Sequence, residues 1–325
     1  MKKISFGSSL LLFLAACIWG VAFVAQSVGM DYMGPCTFNG IRFLIGGTVL
    51  LPLVYVRVKK KKNTPEELPP ALTLKGGICC GLAICAASLC QQIGIMETTV
   101  GKAGFITTLY IIIVPVFGLF LRKKVPGKVW IAAAVAAVGM YMLCINESFS
   151  VSRGDAFVFL CAIIFAVHIL VIDYFSPKAD GVELSCIQFL VAGLISSILA
   201  FCFEEPTFES FIAGIIPLAY AGIICTVAAF AVETPTWGQF VSGIVPILYA
   251  GVMSCGVAYT LQIIGQKNVE PTVASLILSM ESVVSVLAGW VILGQELSSK
   301  ELAGCVLVFA AVILVQYNGR TPKKV

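Results

Sequence analysis

Glu281 is the residue whose type and position carry the most chemistry. It stands about eleven residues from either end of an apolar stretch, 270–293. An ionisable side chain there is expensive, and it is a functional candidate by default. As a carboxylate it needs a partner or water, and otherwise it holds its proton. The residue is therefore either a proton-coupling or cation-binding group, or a protonated glutamate bonded to a neighbouring helix. Arg42 lies about two turns inside another apolar stretch, 36–56. Its planar fork suits a substrate carboxylate or phosphate, and its length also allows it to snorkel to headgroups. Gln188 holds the corresponding place in 184–203, because Ile41-Arg42-Phe43-Leu44 is echoed by Ile187-Gln188-Phe189-Leu190. An arginine opposite a glutamine suits a zwitterion or an anion. His168, the only histidine, can relay protons near neutral pH or act as a neutral interhelical hydrogen-bonder. Tyr110, Trp19, Asn39, Tyr259 and Gln262 offer the aromatic faces and scattered polar groups of a ligand pocket. Taken singly, each is equally a packing residue. Pro115 breaks or kinks its helix near the midplane. Lys102 and Glu97 read as solvated residues flanking a loop, and Asp173 as an interfacial one.

The elements that must position these groups are set by composition. The chain has 325 residues, of which 59% are hydrophobic and 12% charged, about half of the ~25% charge of soluble domains. Apolar runs fall at 9–29, 36–56, 72–93, 103–121, 128–145, 154–174, 184–203, 212–232, 240–264, 270–293 and 300–317. A helix needs roughly 20 residues to cross ~30 Å of hydrocarbon, and barrel strands are far shorter. The fold class is an all-α polytopic membrane protein without a soluble catalytic domain. Nucleic-acid binding is excluded on the same composition, and the Lys59–Lys62 run reads as a topology anchor. The N-terminal run lacks a convincing small-residue cleavage site and reads as the first span. The thirteen cysteines sit mostly in apolar runs and read as small buried residues. No GxGxxG, P-loop or HExxH motif is present, so neither an enzyme nor an ATP-driven pump is expected, and neither a cofactor nor a metal.

Two repeats organise the chain. Residues 193–225 and 222–254 are a tandem duplication with an offset of 29 and fourteen identities in thirty-three positions. At a longer scale, Gln91 meets Gln262 and Tyr110 meets Glu281 at an offset of 171. The expected domains are two five-helix halves, 1–146 and 152–318, the second carrying an extra apolar helix at about 212–232. An odd number of spans per half places the halves upside down relative to each other, with a substrate site at the midplane between them. With ten spans, the basic loops 57–71, 121–128 and 175–183 fall on the cytoplasmic side. If 212–232 also spans, the tail moves outside.

This pattern resembles the drug/metabolite transporter superfamily, EamA type. The resemblance covers nearly the whole chain. It rests on the doubled five-helix plan, Trp19-Gly20 in the first span, Asn39-Gly40-Ile41-Arg42-Phe43 opening the second, and Leu293-Gly294-Gln295-Glu296-Leu297 between the last two. Lys123-Lys124 stands where the second half has Gln295-Glu296. The resemblance implies a ten-helix inner (plasma) membrane carrier of small metabolites such as amino acids, often an exporter. The expected mechanism is alternating access, with protons or another ion as the coupling partner and the lipid bilayer as the surroundings. A non-transporting scaffold and a lipid-modifying membrane enzyme are the alternatives. Gly46, Gly47, Gly76, Gly77 and Gly81 permit close helix contacts, within the chain or in a homodimer.

Overall fold

The computed structural model describes residues 6–30, 33–61, 70–98, 100–122, 125–144, 152–204, 248–293 and 298–316. The expected extra helix at 212–232, the Gly294–Leu297 turn and the tail lie outside these. The described elements are α1 (Phe6–Gly29), α2 (Pro35–Lys61), α3 (Pro70–Ile95), α4 (Val100–Thr108), α5 (Tyr110–Phe120), α6 (Gly127–Cys144), α7 (Arg153–Phe175) and α8 (Gly181–Phe203). A π-helical segment (Tyr249–Tyr259) then runs into α9 (Thr260–Gln266), followed by α10 (Pro271–Leu278), α11 (Met280–Leu293) and α12 (Ser299–Gln316). No strand occurs among the described residues, as expected where lipid cannot satisfy a sheet edge. Among the described residues seven stretches are long and apolar enough to cross a bilayer, and two of them, Val100–Phe120 and Pro271–Ile292, contain an internal break.

Local chemistry explains several boundaries. Pro35, Pro70 and Pro271 open their helices, where a missing N–H costs nothing. Ser152 and Asp155 form a capping box at the start of α7. Asp180 caps α8 by accepting from the amides of Val182 at 2.9 Å and Glu183 at 3.2 Å. The two breaks, at Leu109 and Ser279, differ in chemistry. Pro115 lies inside α5 rather than at its break. A proline ring crowds the carbonyl four residues back, and the helix yields in the turn upstream of Ile111. At the second break, Ser275, Ser279, Ser282 and Ser285 each donate their hydroxyl to the backbone carbonyl three residues back, at 2.7–3.0 Å. Such bonds satisfy carbonyls that an interrupted helix leaves free.

The helices of the two halves pack on one another in reciprocal pairs. α2 lies antiparallel on α8, with Gly40 against Ser197 and Gly47 against Leu190. Arg57 bonds Asp180 at 3.2 Å at one end of this pair. At the other, the Glu204 carboxylate accepts from the amides of Cys36 at 2.5 Å and Thr37 at 2.8 Å. α3 runs antiparallel on α7, with Gly76 at Phe175 and Gly94 at Val158. In the same way α1 runs antiparallel on the π-helical segment and α9, with the Tyr249 hydroxyl donating to Ile18 O at 3.0 Å and Gly265 against Leu12. α6 packs on α12, and α1 on α11 where α7 takes α4. Helix bounds repeat as well. Adding 146 to the bounds of α1 and to the start of α2 reaches the bounds of α7 and the start of α8 within two residues, and adding 171 to the end of α3 and to the bounds of α4–α6 reaches the end of α9 and the bounds of α10–α12 within two residues. Gly46, Gly47, Gly76, Gly77 and Gly81 each abut another helix of the same chain.

The main apolar cluster sits at the seam between the halves. Phe43 stacks on Phe189 there, with ring centroids 5.9 Å apart. Arg57, Lys59, Arg122, Lys178 and Lys267 gather at one end of the bundle, whereas Lys102, Arg153 and Lys300 start helices at the other.

Candidate functional site

A partly open cavity lies in this seam. α1 contributes Trp19, Phe23 and Gln26, and α2 contributes Arg42. Gln91, Thr107 and Tyr110 come from α3, α4 and α5, and Phe165 and Ile169 from α7. Ser254 and Tyr259 of the π-helical segment, Gln262 of α9, Leu278 of α10 and Glu281 of α11 complete the lining. The breaks at Leu109 and Ser279 stand directly before Tyr110 and beside Leu278 and Glu281. They turn those side chains into the seam.

Two ionisable groups face the cavity. The Glu281 carboxylate accepts a 3.0 Å hydrogen bond from the Tyr110 hydroxyl, its sequence equivalent in the other half. Gly20 lets α1 come this close: a Cβ there would strike Val284 and stand 2.8 Å from the Glu281 carbonyl oxygen. The Arg42 guanidinium, 3% exposed, donates from Nη1 to the Gln26 Oε1 atom at 2.7 Å. It lies 4.9 Å from the Phe43 ring centroid and 5.4 Å from that of Phe38, and its Nε has no partner. Aromatic walls fix the rest. Trp19 donates its indole N–H to Ser254 O at 3.3 Å and packs 4.4 Å from the Tyr259 ring. Gln91 donates to the Thr107 hydroxyl at 3.2 Å.

Of the residues singled out from sequence, Glu281, Arg42, Tyr110, Trp19, Tyr259 and Gln262 line the cavity, and His168, Gln188 and Asn39 do not. His168 is fully buried and shares a 3.2 Å hydrogen bond with Gln188, edge-on to Tyr259 at 6.0 Å. Asn39 is buried with neither amide atom partnered. Lys102, expected to be solvated, pairs with the 5%-exposed Asp155 side chain at 2.5 Å. The cavity also uses Phe23, Gln26, Gln91, Thr107, Phe165, Ile169, Ser254 and Leu278, which were not among the candidates. From the candidates the repeat offsets reach two of these, Phe165 and Gln91, and they pair four of the others among themselves. Trp19 and Phe23 plus 146 give Phe165 and Ile169, Gln262 minus 171 gives Gln91, and Thr107 plus 171 gives Leu278. Among the described residues no three metal-ligating side chains converge.

A polytopic helical bundle with a partly polar cavity at its central seam is the architecture of a membrane solute carrier. The EamA-like transporter family model matches residues 7–145, 152–234 and 233–317, and the chain belongs to this family. An uncharacterized transporter of Archaeoglobus fulgidus is 26% identical over 305 residues, covering 94% of this chain and 84% of that protein. The uncharacterized inner membrane transporter YedA of Escherichia coli K12 is 24% identical over 314 residues, covering 93% and 89%. Protein PagO of Salmonella typhimurium is 24% identical over 217 residues, covering 65% and 69%. A solved crystal structure superposes with a TM-score of 0.70 at 16% identity, covering 95% of this chain and 96% of that one. It shares the fold.

Proposed function

We propose that this transporter is a secondary carrier of the inner (plasma) membrane that exports small metabolites, amino acids or related compounds, by alternating access. In this reading the two five-helix halves, 1–146 and 152–318, are inverted repeats that rock about the seam, and Glu281 exchanges a coupling proton in each cycle. The observation that carries it is the cavity, where Tyr110 and Glu281, equivalent residues of the two halves, bond one another directly after equivalent helix breaks. The antiparallel course of α2 and α8 supports the inversion. So do the family matches. The two in the second half span 83 and 85 residues, together 29 more than the 139 of the first, and 29 is the offset of the tandem duplication. The extra stretch is then an insertion into an intact ten-helix plan, with both chain ends in the cytoplasm. α8 ends at the face where α1 ends, and the π-helical segment leads away from that face, so both directions are kept across the insertion. YedA's naming as an inner membrane transporter supports the location. Purified protein in liposomes with an imposed pH gradient, screened against amino acids and other small metabolites, tests the reading. Solute-specific flux that responds to the gradient supports it. A complete absence of flux for every solute leaves a scaffold.

A further inference from the structure

We propose that the cavity takes a carboxylate monoanion together with one proton, the anion on Arg42 and the proton on Glu281, so that loaded and empty cavities carry the same net charge. This inference rests on the carrier reading and narrows its substrates to one charge class.

A guanidinium keeps its charge under all ordinary conditions. Arg42 is buried, yet its only hydrogen bond goes to the neutral Gln26, its Nε is unpartnered, and among the described residues no carboxylate pairs with it. An uncompensated buried cation is strongly unfavourable, so a counter-charge must reach it. The only acid lining the same cavity is Glu281, whose side chain is held by the Tyr110 hydroxyl alone. In the empty cavity an ionised Glu281 can supply the balance from across the same cavity. An anion seated on Arg42 supplies it instead, and a second negative charge in so small a space then favours protonation of Glu281.

No other acid lines the cavity among the described residues, and His168, edge-on to Tyr259 at 6.0 Å, lies outside the lining and shares its Nε2 with Gln188. Tyr110 and Tyr259 line the cavity and Cys161 lies on α7 nearby, all of them ordinarily neutral. Of the elements packed on α11, α10 has no titratable side chain, and α1 and α4 face it with Trp19, Gly20, Gly104 and Thr107. Lys102 of α4 is held by Asp155. The ionisable groups of α6 and α12 are Lys128, Tyr141, Cys144, Lys300, Glu301 and Cys305, none of which is among the described residues lining the cavity.

The counterpart of Arg42 supports a single negative charge. Gln188 is neutral and occupied with His168, so the cavity has one cation and balances one charge, which suits a carboxylate better than a phosphate dianion. The accounting is simple: one anion moves to Arg42, one proton moves from water to Glu281, and no covalent bond other than the O–H forms or breaks. Solute and proton then travel in the same direction with no net charge. Export is therefore driven by the sum of the solute gradient and the pH gradient and ignores the membrane potential.

The test uses the full-length purified protein in weakly buffered detergent with a pH-reporting dye. The probes are acetate, pyruvate and benzoate, with benzamide and zwitterionic phenylalanine as controls. Expected is uptake of about one proton per carboxylate bound, with affinity falling about tenfold per pH unit once Glu281 is ionised. Glu281→Gln is expected to bind the same anion with no proton uptake and no pH dependence. Arg42→Gln should lose both, and Arg42→Lys should keep both at lower affinity, which guards against simple misfolding. Carboxylate binding without proton uptake, proton-independent binding of phenylalanine in preference to the carboxylates, or no binding by any carboxylate overturns the proposal. If Arg42→Gln proteoliposomes still carry neutral solutes, only this inference falls. If wild-type liposomes carry nothing, the carrier reading falls with it.

Discussion

Val100–Phe120 and Pro271–Leu293 both interrupt their helix near the middle, at Leu109 and Ser279, yet they reach that geometry by different chemistry. The first has one hydroxyl at its break, Thr108 donating to Gly104 O at 3.0 Å and to Phe105 O at 2.9 Å, and a proline ring further along at Pro115. The second relies on four serine hydroxyls bonded to nearby carbonyls. Directly after the breaks stand Tyr110 and Glu281, a neutral donor and an acid that meet each other. The same contrast recurs one layer away. α1 and α2 are tied by Gln26 and Arg42, and their counterparts α7 and α8 by His168 and Gln188. The framework is shared between the halves, while the ionisable groups are distributed unevenly: the cation comes from the first half and the acid from the second. A cavity built this way has nearly two-fold shape and strongly one-sided electrostatics.

The comparison is most severely tested at Glu281. Glu281→Gln is expected to abolish proton-coupled flux in proteoliposomes while leaving thermal unfolding in detergent unchanged. Persisting coupling would make the two halves functionally equivalent at the break. Gly20→Val should come next. The added side chain strikes Val284, and overpacking of this kind costs roughly 1–3 kcal/mol, read as a lower unfolding midpoint. An unchanged midpoint would mean that α1 can move off α11 freely. Tyr110→Phe removes the single hydrogen bond to Glu281. Interhelical bonds in membranes average about 0.6 kcal/mol and reach about 1.7, so coupled flux should fall a few-fold and not vanish. The smallest effect is expected for Ser279→Ala, because three neighbouring serines keep their carbonyl bonds. A stability change below about 0.5 kcal/mol is expected, and a larger one would show that the second break hangs on a single hydroxyl. On topology, an accessibility tag on Val325 should report from the same side as one on Met1.

Much of this was legible in the sequence because lipid leaves few options. The apolar runs gave every described helix to within a few residues, since backbone polar groups must be satisfied within each segment. The pairing of Tyr110 with Glu281 was visible as an offset of 171 before any geometry. What remained hidden depended on rotation about helix axes. His168, Gln188 and Asn39 are polar residues in apolar runs, as are Gln91 and Gln262, yet only the last two turn toward the cavity. In a span apolar on every side, periodicity cannot say which face is wet. Pro115 was expected to break or kink its helix, and the break instead falls at Leu109, where the Thr108 hydroxyl bonds the Gly104 and Phe105 carbonyls. The Lys102–Asp155 contact was missed because its partners lie 53 residues apart.

Two ionic clasps, Lys102 with Asp155 and Arg57 with Asp180, fasten one half to the other at opposite ends of the bundle. In the proposed rocking cycle each tilt about the seam would undo one clasp, so the relative strength of these pairs would set which side rests open. The Arg57 side chain is 43% exposed and that of Lys102 30%. Dissolved salt weakens exposed pairs most, so a saltier solution on the Arg57 side should loosen that clasp first.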